Sequence, residues 1–345
     1  MIKVLLSFLF MLTAGILLLS VVYDVWHFST DIVNRLFPVF FTLAVTLVNL
    51  QISYKVSSST RIDLKLFLIS ALVFLLSISM VCFIVLSEYV DIRLKDRSYK
   101  EVYSDCFKVW AARGLVLDGP EITQNGTQNS IESIQRAFDK GAKGTEVDVH
   151  YDAAMGKFIV AHDKPYQLKN GSLLTLESLF EATGGSSYYW LDFKKLRHLN
   201  DIELAQSVLE LERITQIHNV KNKIYVEGEA PFSLAKYRDA GFNTIFDTHP
   251  LPDSNLLTPP IINLYKMVYY FGGFTVMAMN YGGIDDPFYG QRTRKSLGNI
   301  PVFLYHVYDI PQVLKMISRL EAVRVILVLD HSLDRYGLNA CGSNN

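Results

Sequence analysis

GTEVDVHYDAAMGKFIVAHD, residues Gly144 to Asp163, opens with side chains that alternate in character. Alternation at period two predicts a strand with two distinct faces. Val147 and Val149 point one way, and Glu146, Asp148 and His150 the other. Two carboxylates on one face repel each other, and a hard divalent cation with oxygen ligands, Ca²⁺ or Mg²⁺, is the usual means of holding both ionised. After a turn around Asp152 to Gly156, the apolar run Phe158 to Ala161 delivers His162 and Asp163. A histidine arriving beside such a carboxylate pair is placed to move protons.

Outward from this stretch, the chain from Tyr99 to Asn345 alternates strand-like and helix-like segments. The strand-like runs are Lys108–Ala112, Thr145–His150, Tyr188–Phe193, Lys223–Val226, Thr244–Phe246, Phe274–Met279, Val302–Val307 and Arg324–Val328. Helical patterns fall at Ser130–Lys140, Leu174–Ala182, Ile202–Ile217, Pro231–Ala240 and Ile310–Leu320. Strands alternating with helices over this length predict an α/β fold, a (β/α)₈ TIM barrel over residues 99–345. Tyr265 to Tyr281 is apolar enough to pass for a membrane span, but its internal glycines and strand-like second half assign it to the barrel.

Barrel sites gather at the C-terminal ends of the strands. Arg113 ends the first strand, Glu146 and Asp148 lie on the second, and Asp192 and Lys194 end the third. Glu227 and Glu229 end the fourth, and His306 lies near the end of the seventh. Glu146, Asp148 and Asp192 are thus candidate metal ligands, with Ca²⁺ or Mg²⁺ the expected cofactor. Arg113 and Lys194 are cations suited to binding a phosphodiester and to stabilising charge at phosphorus. His162 is the candidate proton-transfer group.

The ordered motifs around these residues resemble the glycerophosphodiester phosphodiesterase family. They are Ala112-Arg113-Gly114, then Asn129-Ser130-Ile131-Glu132-Ser133 with a helix ending Ala137-Phe138-Asp139-Lys140-Gly141-Ala142. After the E-x-D and H-D pairs come Leu174 to Leu179 and Leu191-Asp192-Phe193-Lys194. The resemblance covers about Trp110 to Lys194. It implies the same roles at Arg113, Glu146, Asp148, His162 and Lys194, with a glycerophosphodiester or phospholipid headgroup as substrate. Asp192 stands where that family usually has Glu, and is similar to the pattern of the related sphingomyelinase D enzymes. Where the family has Glu-Asn-Thr this chain has Asn129-Ser130-Ile131, in which Asn or Ser is expected to cap the following helix. Tyr305 replaces a usual tryptophan.

The larger departure is Ala112, where the family has a histidine that forms an acid–base pair with the second. Alanine transfers no proton. Either His306, or less favourably His150, takes over, or the barrel is non-catalytic and binds phospholipid headgroups or an extracytoplasmic partner. The expected function is a membrane-anchored, metal-dependent phosphodiesterase, with that binding role as the alternative.

Composition frames this reading. The 345 residues are half hydrophobic and carry a formal net charge of −1, which gives no basis for nucleic-acid binding. Val4–Tyr23, Leu36–Tyr54 and Leu66–Ser87 contain no charged residue and approach the ~20 residues of a bilayer span. Residues 1–98 are therefore expected to form a membrane domain of three transmembrane helices that anchors the barrel to the membrane. Basic residues flanking the spans nearly balance and leave orientation open. Cys106 and Cys341 bracket the barrel, and either pair with each other or remain thiols; pairing places the barrel on the periplasmic or extracellular side. Asn125 and Asn170 begin glycosylation-type triplets.

Overall fold

The computed structural model describes residues 64–116, 128–169, 171–328 and 335–338. The chain divides after Ile92, and Arg93–Asn345 forms a compact unit. In chain order the described elements are α1 (Leu64–Lys95), β1 (Val109–Ala112), α2 (Ile131–Asp139), β2 (Gly144–Asp152), β3 (Lys157–Val160), α3 (Leu176–Thr183) and β4 (Tyr188–Phe193). They continue with α4 (Asp201–Ile217), β5 (Ile224–Gly228), α5 (Pro231–Asp239), β6 (Asn243–Thr248), α6 (Thr258–Gly272) and β7 (Val276–Asn280). The last are α7 (Gln291–Leu297), β8 (Val302–Tyr305), α8 (Pro311–Ser318) and β9 (Val323–Val328).

The strands pair in the order β1-β9-β8-β7-β6-β5-β4-β2-β3, and β1 also pairs with β2. That second pairing closes the sheet. Every ladder is parallel except β2–β3, so eight strands form a closed parallel barrel and β3 is an antiparallel excursion from it. All eight expected barrel strands are present within a few residues of their expected bounds. Two helices, α6 and α7, lie in the region between Phe246 and Gly298 where no helical pattern is expected. The stretch Tyr265–Tyr281 divides: α6 runs to Gly272, Gly273 adopts a left-handed φ of 64°, and β7 begins at Val276.

Local chemistry sets the element ends. Ser130 caps α2 by accepting from Ser133 N–H, while Ser133 returns a bond to Ser130 N–H. Asn200 and Glu203 do the same for α4. Proline sits in the first turn of α5, α6 and α8, where its missing N–H costs no helical bond.

The barrel interior is layered by the strand period. Trp110, Trp190, Tyr225, Ile245, Phe303 and Val325 fill the floor-side layer and are at most 1% exposed. Two residues on along each strand stand Ala112, Asp192, Glu227, Asp247, Tyr305 and Leu327, which reach the mouth. Gly144 makes the β2 contribution to the floor, because a Cβ there would lie 2.5 Å from the Trp110 ring. Tyr103 closes the floor from outside: its N–H donates to Tyr225 Oη at 2.9 Å, and its ring meets Trp110 edge-on at 4.9 Å.

Of the three expected spans, Val4–Tyr23 and Leu36–Tyr54 lie outside the described residues, and Leu66–Ser87 falls on α1. Among the described residues no helix is long and apolar enough to cross a membrane. Cys106 is disulfide-bonded, Cys82 is a free thiol, and the expected partner Cys341 lies outside the described residues. Asn125 and Asn170 lie outside them as well.

Candidate active site

Parallel register brings the charged residues to one level. Ala112 pairs with Glu146, Asp148 with Asp192, and Asp192 with Glu227. At the end of β1 the chain turns sharply. Arg113 takes a φ of 60°, and its N–H donates to Glu146 O at 3.0 Å. Gly114 follows at φ 82°, where a Cβ would lie 2.5 Å from the Ser133 hydroxyl, so the turn sits directly on the start of α2.

A mouth cavity of about 510 Å³ is lined by Arg113, Glu146, His162, Asp192, Lys194 and His306, among others. Asp148 lies fully buried beneath it and ties the cations together. Arg113 Nε stands 2.8 Å from Asp148 Oδ2, and Lys194 Nζ stands 2.8 Å from Asp148 Oδ1. Lys194 also pairs closely with Asp192. Asn129 clasps the same carboxylate: its Nδ2–H donates to Asp148 Oδ2 at 2.7 Å, and Asp148 N–H donates to Asn129 Oδ1 at 3.1 Å.

Oxygen atoms of Glu146, Asp148 and Asp192 lie within 4.8 Å of one another, so these residues could hold a metal ion. Glu146 Oε1 is buried with no hydrogen-bond partner. Burial first, then Asp148 and Asp192, push the Glu146 carboxyl well above the usual carboxylate range. Burial also raises Asp192. An all-oxygen donor set with an orphaned carboxylate oxygen fits a hard divalent cation.

His162 is 45% exposed, and its Nδ1 lies 2.7 Å from Asp163 Oδ2. That bond lowers the Asp163 carboxyl, so Nδ1–H donates to an ionised carboxylate and Nε2 is left for chemistry. His150 is 3% exposed, and its Nε2–H donates to the His162 carbonyl at 3.2 Å. It does not line the cavity; it braces the loop that carries His162.

His306 lines the cavity and occupies a φ of 51°. Gly282 N–H donates to Asn280 Oδ1 at 2.8 Å, which orients the Asn280 amide. Asn280 Nδ2 then donates to His306 Nδ1 at 3.1 Å. A neutral His306 therefore carries its proton on Nε2. Burial, with Arg113 and Lys194 nearby, pushes its pKa down. His306 is set to donate a hydrogen bond as a neutral ring, and its lone pair on Nδ1 is already engaged.

Several site residues escaped the sequence reading. Ser130 is the helix cap, whereas Asn129, the other candidate for that role, holds Asp148. Asp247 lines the cavity and accepts from Tyr305 Oη–H at 3.2 Å; burial pushes its carboxyl up to about 7. With Glu229 and His249 it forms a second group whose ligand atoms lie within 4.8 Å of one another. Extending the period of Thr244–Phe246 by one step would have placed Asp247 inward; His249 follows the strand and carried no such signal. Glu227, expected at the end of the fourth strand, does reach the mouth; it accepts from Trp190 Nε1–H at 2.7 Å, and burial followed by Asp192 pushes it well above the carboxylate range.

No protein-family model matches the sequence, and no curated protein matches it. Solved structures do. A candidate glycerophosphoryl diester phosphodiesterase from Silicibacter pomeroyi DSS-3 superposes with a TM-score of 0.50 at 13% identity, covering 68% of this chain and 95% of that one. A glycerophosphodiester phosphodiesterase from Parabacteroides distasonis ATCC 8503 gives 0.47 at 19% identity, over 65% and 93% of the two chains. One from Thermotoga maritima gives 0.45 at 16%, over 64% and 93%. At these identities the likeness is one of fold.

Proposed function

We propose that this barrel is a metal-dependent phosphodiesterase acting on glycerophosphodiesters or phospholipid headgroups. The observation that carries it is the pairing of two cations, Arg113 and Lys194, with a buried three-carboxylate group beside His162 at the barrel mouth. Glu146, Asp148 and Asp192 would hold Ca²⁺ or Mg²⁺, which when bound supplies Lewis-acid charge at phosphorus. Arg113 and Lys194 bind the non-bridging oxygens and orient the diester. His306 donates from Nε2–H to a phosphoryl oxygen. His162 Nε2 exchanges a proton with the attacking or leaving oxygen, steadied through Nδ1 by Asp163.

Ala112 leaves the wall beside Glu146 without a second proton-transfer group. This supports the alternative reading, a barrel that binds a phosphodiester without turning it over. One experiment separates the two. Assayed with Ca²⁺ on a panel of phosphodiesters, Ala112→His should raise turnover by about 10²–10⁴. The gain should vanish in the Ala112→His, His162→Ala double variant. No gain, with metal and ligand still bound, would leave the binding reading ahead.

Membrane anchoring through Val4–Tyr23, Leu36–Tyr54 and Leu66–Ser87 belongs to the same proposal, supported by their length and freedom from charge. The disulfide-bonded Cys106 supports a periplasmic or extracellular barrel. Protease protection in oriented vesicles tests it: a barrel digested only after the cytoplasmic side is opened would refute that side.

A further inference from the structure

At the opposite end of the barrel lies a second cavity, of about 350 Å³, whose lining belongs entirely to the Arg93–Asn345 unit. Arg324 is the second residue of β9, and Asn299 and Ala322 precede β8 and β9, so the cavity faces the N-terminal ends of the strands. Lys95, Arg97, Lys100 and Arg324 line it, against one carboxylate, Glu321. None of these four cations has a carboxylate partner within ion-pair distance among the described residues. At the mouth, by contrast, Arg113 and Lys194 are both paired.

Arg97 is held in place by other means. Arg97 Nη2–H donates to the Phe274 carbonyl at 3.1 Å, and its guanidinium lies over the rings of Tyr99 and Tyr269 at 5.7 and 5.2 Å. Arg324 Nε is buried and has no hydrogen-bond partner. A buried guanidinium N–H without an acceptor is costly, and an anion supplies the acceptor. The field is strengthened by Lys108, whose amine donates to the Leu320 carbonyl at 2.9 Å and is pushed down to about 8 by burial and by Arg324.

We infer that this floor cavity is a binding site for a phosphate group, either on a soluble phosphorylated molecule or on a lipid headgroup. Four cations with no carboxylate partner among the described residues, around a small cavity, match the charge of such an anion, and two arginines supply forked donors to its oxygens. Lys95 ends α1, and Arg97 and Lys100 follow within five residues, so the site begins where the apolar helix stops. Basic residues beside an apolar helix attract anionic headgroups. This inference does not depend on the mouth being catalytic.

Calorimetric titration of the full chain in detergent with inorganic phosphate tests it. Arg324→Gln and Lys100→Gln should each weaken one site about tenfold. Arg113→Gln, at the mouth, should leave that site unchanged. Lys100 is exposed, so its variant remains informative if Arg324→Gln folds poorly. Short-chain phosphatidylglycerol is the second arm: competition at least tenfold stronger than that of inorganic phosphate assigns the site to a headgroup, and equal or weaker competition assigns it to a soluble phosphate. Phosphate binding indifferent to both floor variants, or no binding heat beyond dilution, would overturn the inference.

Discussion

The two ends of the barrel are built from the same strands and have opposite characters. On the floor, Trp110, Trp190, Tyr225 and Phe303 pack ring against ring, with centroids 5.1 to 6.3 Å apart where they meet. Two residues later on most of those strands stand polar groups that line the mouth cavity and bond one another or its cations: Asp192 with Lys194, Glu227 with Trp190, and Tyr305 with Asp247. The single step of two residues converts a stabilising layer into a destabilised one, since carboxylates crowded in a half-open cavity raise one another's pKa. Ala112 breaks the pattern. On β1 the floor residue is the large Trp110, but the mouth residue has no polar group to offer.

Removing floor packing should have the largest effect. Trp110→Ala should cost about 3–5 kcal/mol of stability in denaturant melts, while the folded fraction keeps its cation site at the mouth. Loss of that site together with the ring would mean the two layers are not separable.

Next in size is a charge effect at the mouth. Asp247 is held at about 7 against 3.8 for an ordinary aspartate, and its side chain is 11% exposed. Raised in the folded state, this group adds stability fully present below pH ~4 and lost as pH climbs through ~7. In chelator-treated protein, Asp247→Asn should therefore gain stability relative to wild type between pH 5 and pH 8, by at most about 4 kcal/mol. A pH-independent difference would show that Asp247 ionises as freely folded as unfolded.

Glu146→Gln should sharpen the contrast further. It should weaken Ca²⁺ binding at least tenfold by calorimetry, yet raise the melting temperature of the metal-free protein, because a buried, repelled carboxylate is gone. The smallest effect is at a helix cap: Ser130→Ala removes the α2 cap and should cost about 1 kcal/mol, with cation affinity unchanged.

The contrast also explains what could be read from the sequence. Period-two alternation on Thr145–His150 is a local property, so the strand, its inward carboxylates and the return to His162 were visible. The expectation of eight strands rested on the same property. The role of Asn129 was not visible, because it depends on a backbone φ of 56° and on Asp148 nineteen residues away. The tautomer of His306 depends on Asn280 and Gly282, whose hydrogen bonds no spacing rule contains. Helix α6 was missed for another reason: its one charged residue, Lys266, is buried and donates to the Ser296 carbonyl, so no polar face marked the period.

The hairpin of β2 and β3 has a consequence of its own. His162 is not carried by a barrel strand; it arrives on an antiparallel detour that leaves the sheet and comes back, with Val149 paired to Val160 at the point of return. The two ends of the detour are neighbours, so its far turn at residues 153–156 can be lengthened, trimmed or exchanged without opening the ring of eight strands. The proposed proton-transfer group rides on a detachable cassette while the charged groups are fixed in the frame. Grafting a hairpin of different reach onto Val149 and Val160 is therefore a route to moving His162 relative to the mouth cavity, one step of the pleat at a time, on a scaffold that stays closed.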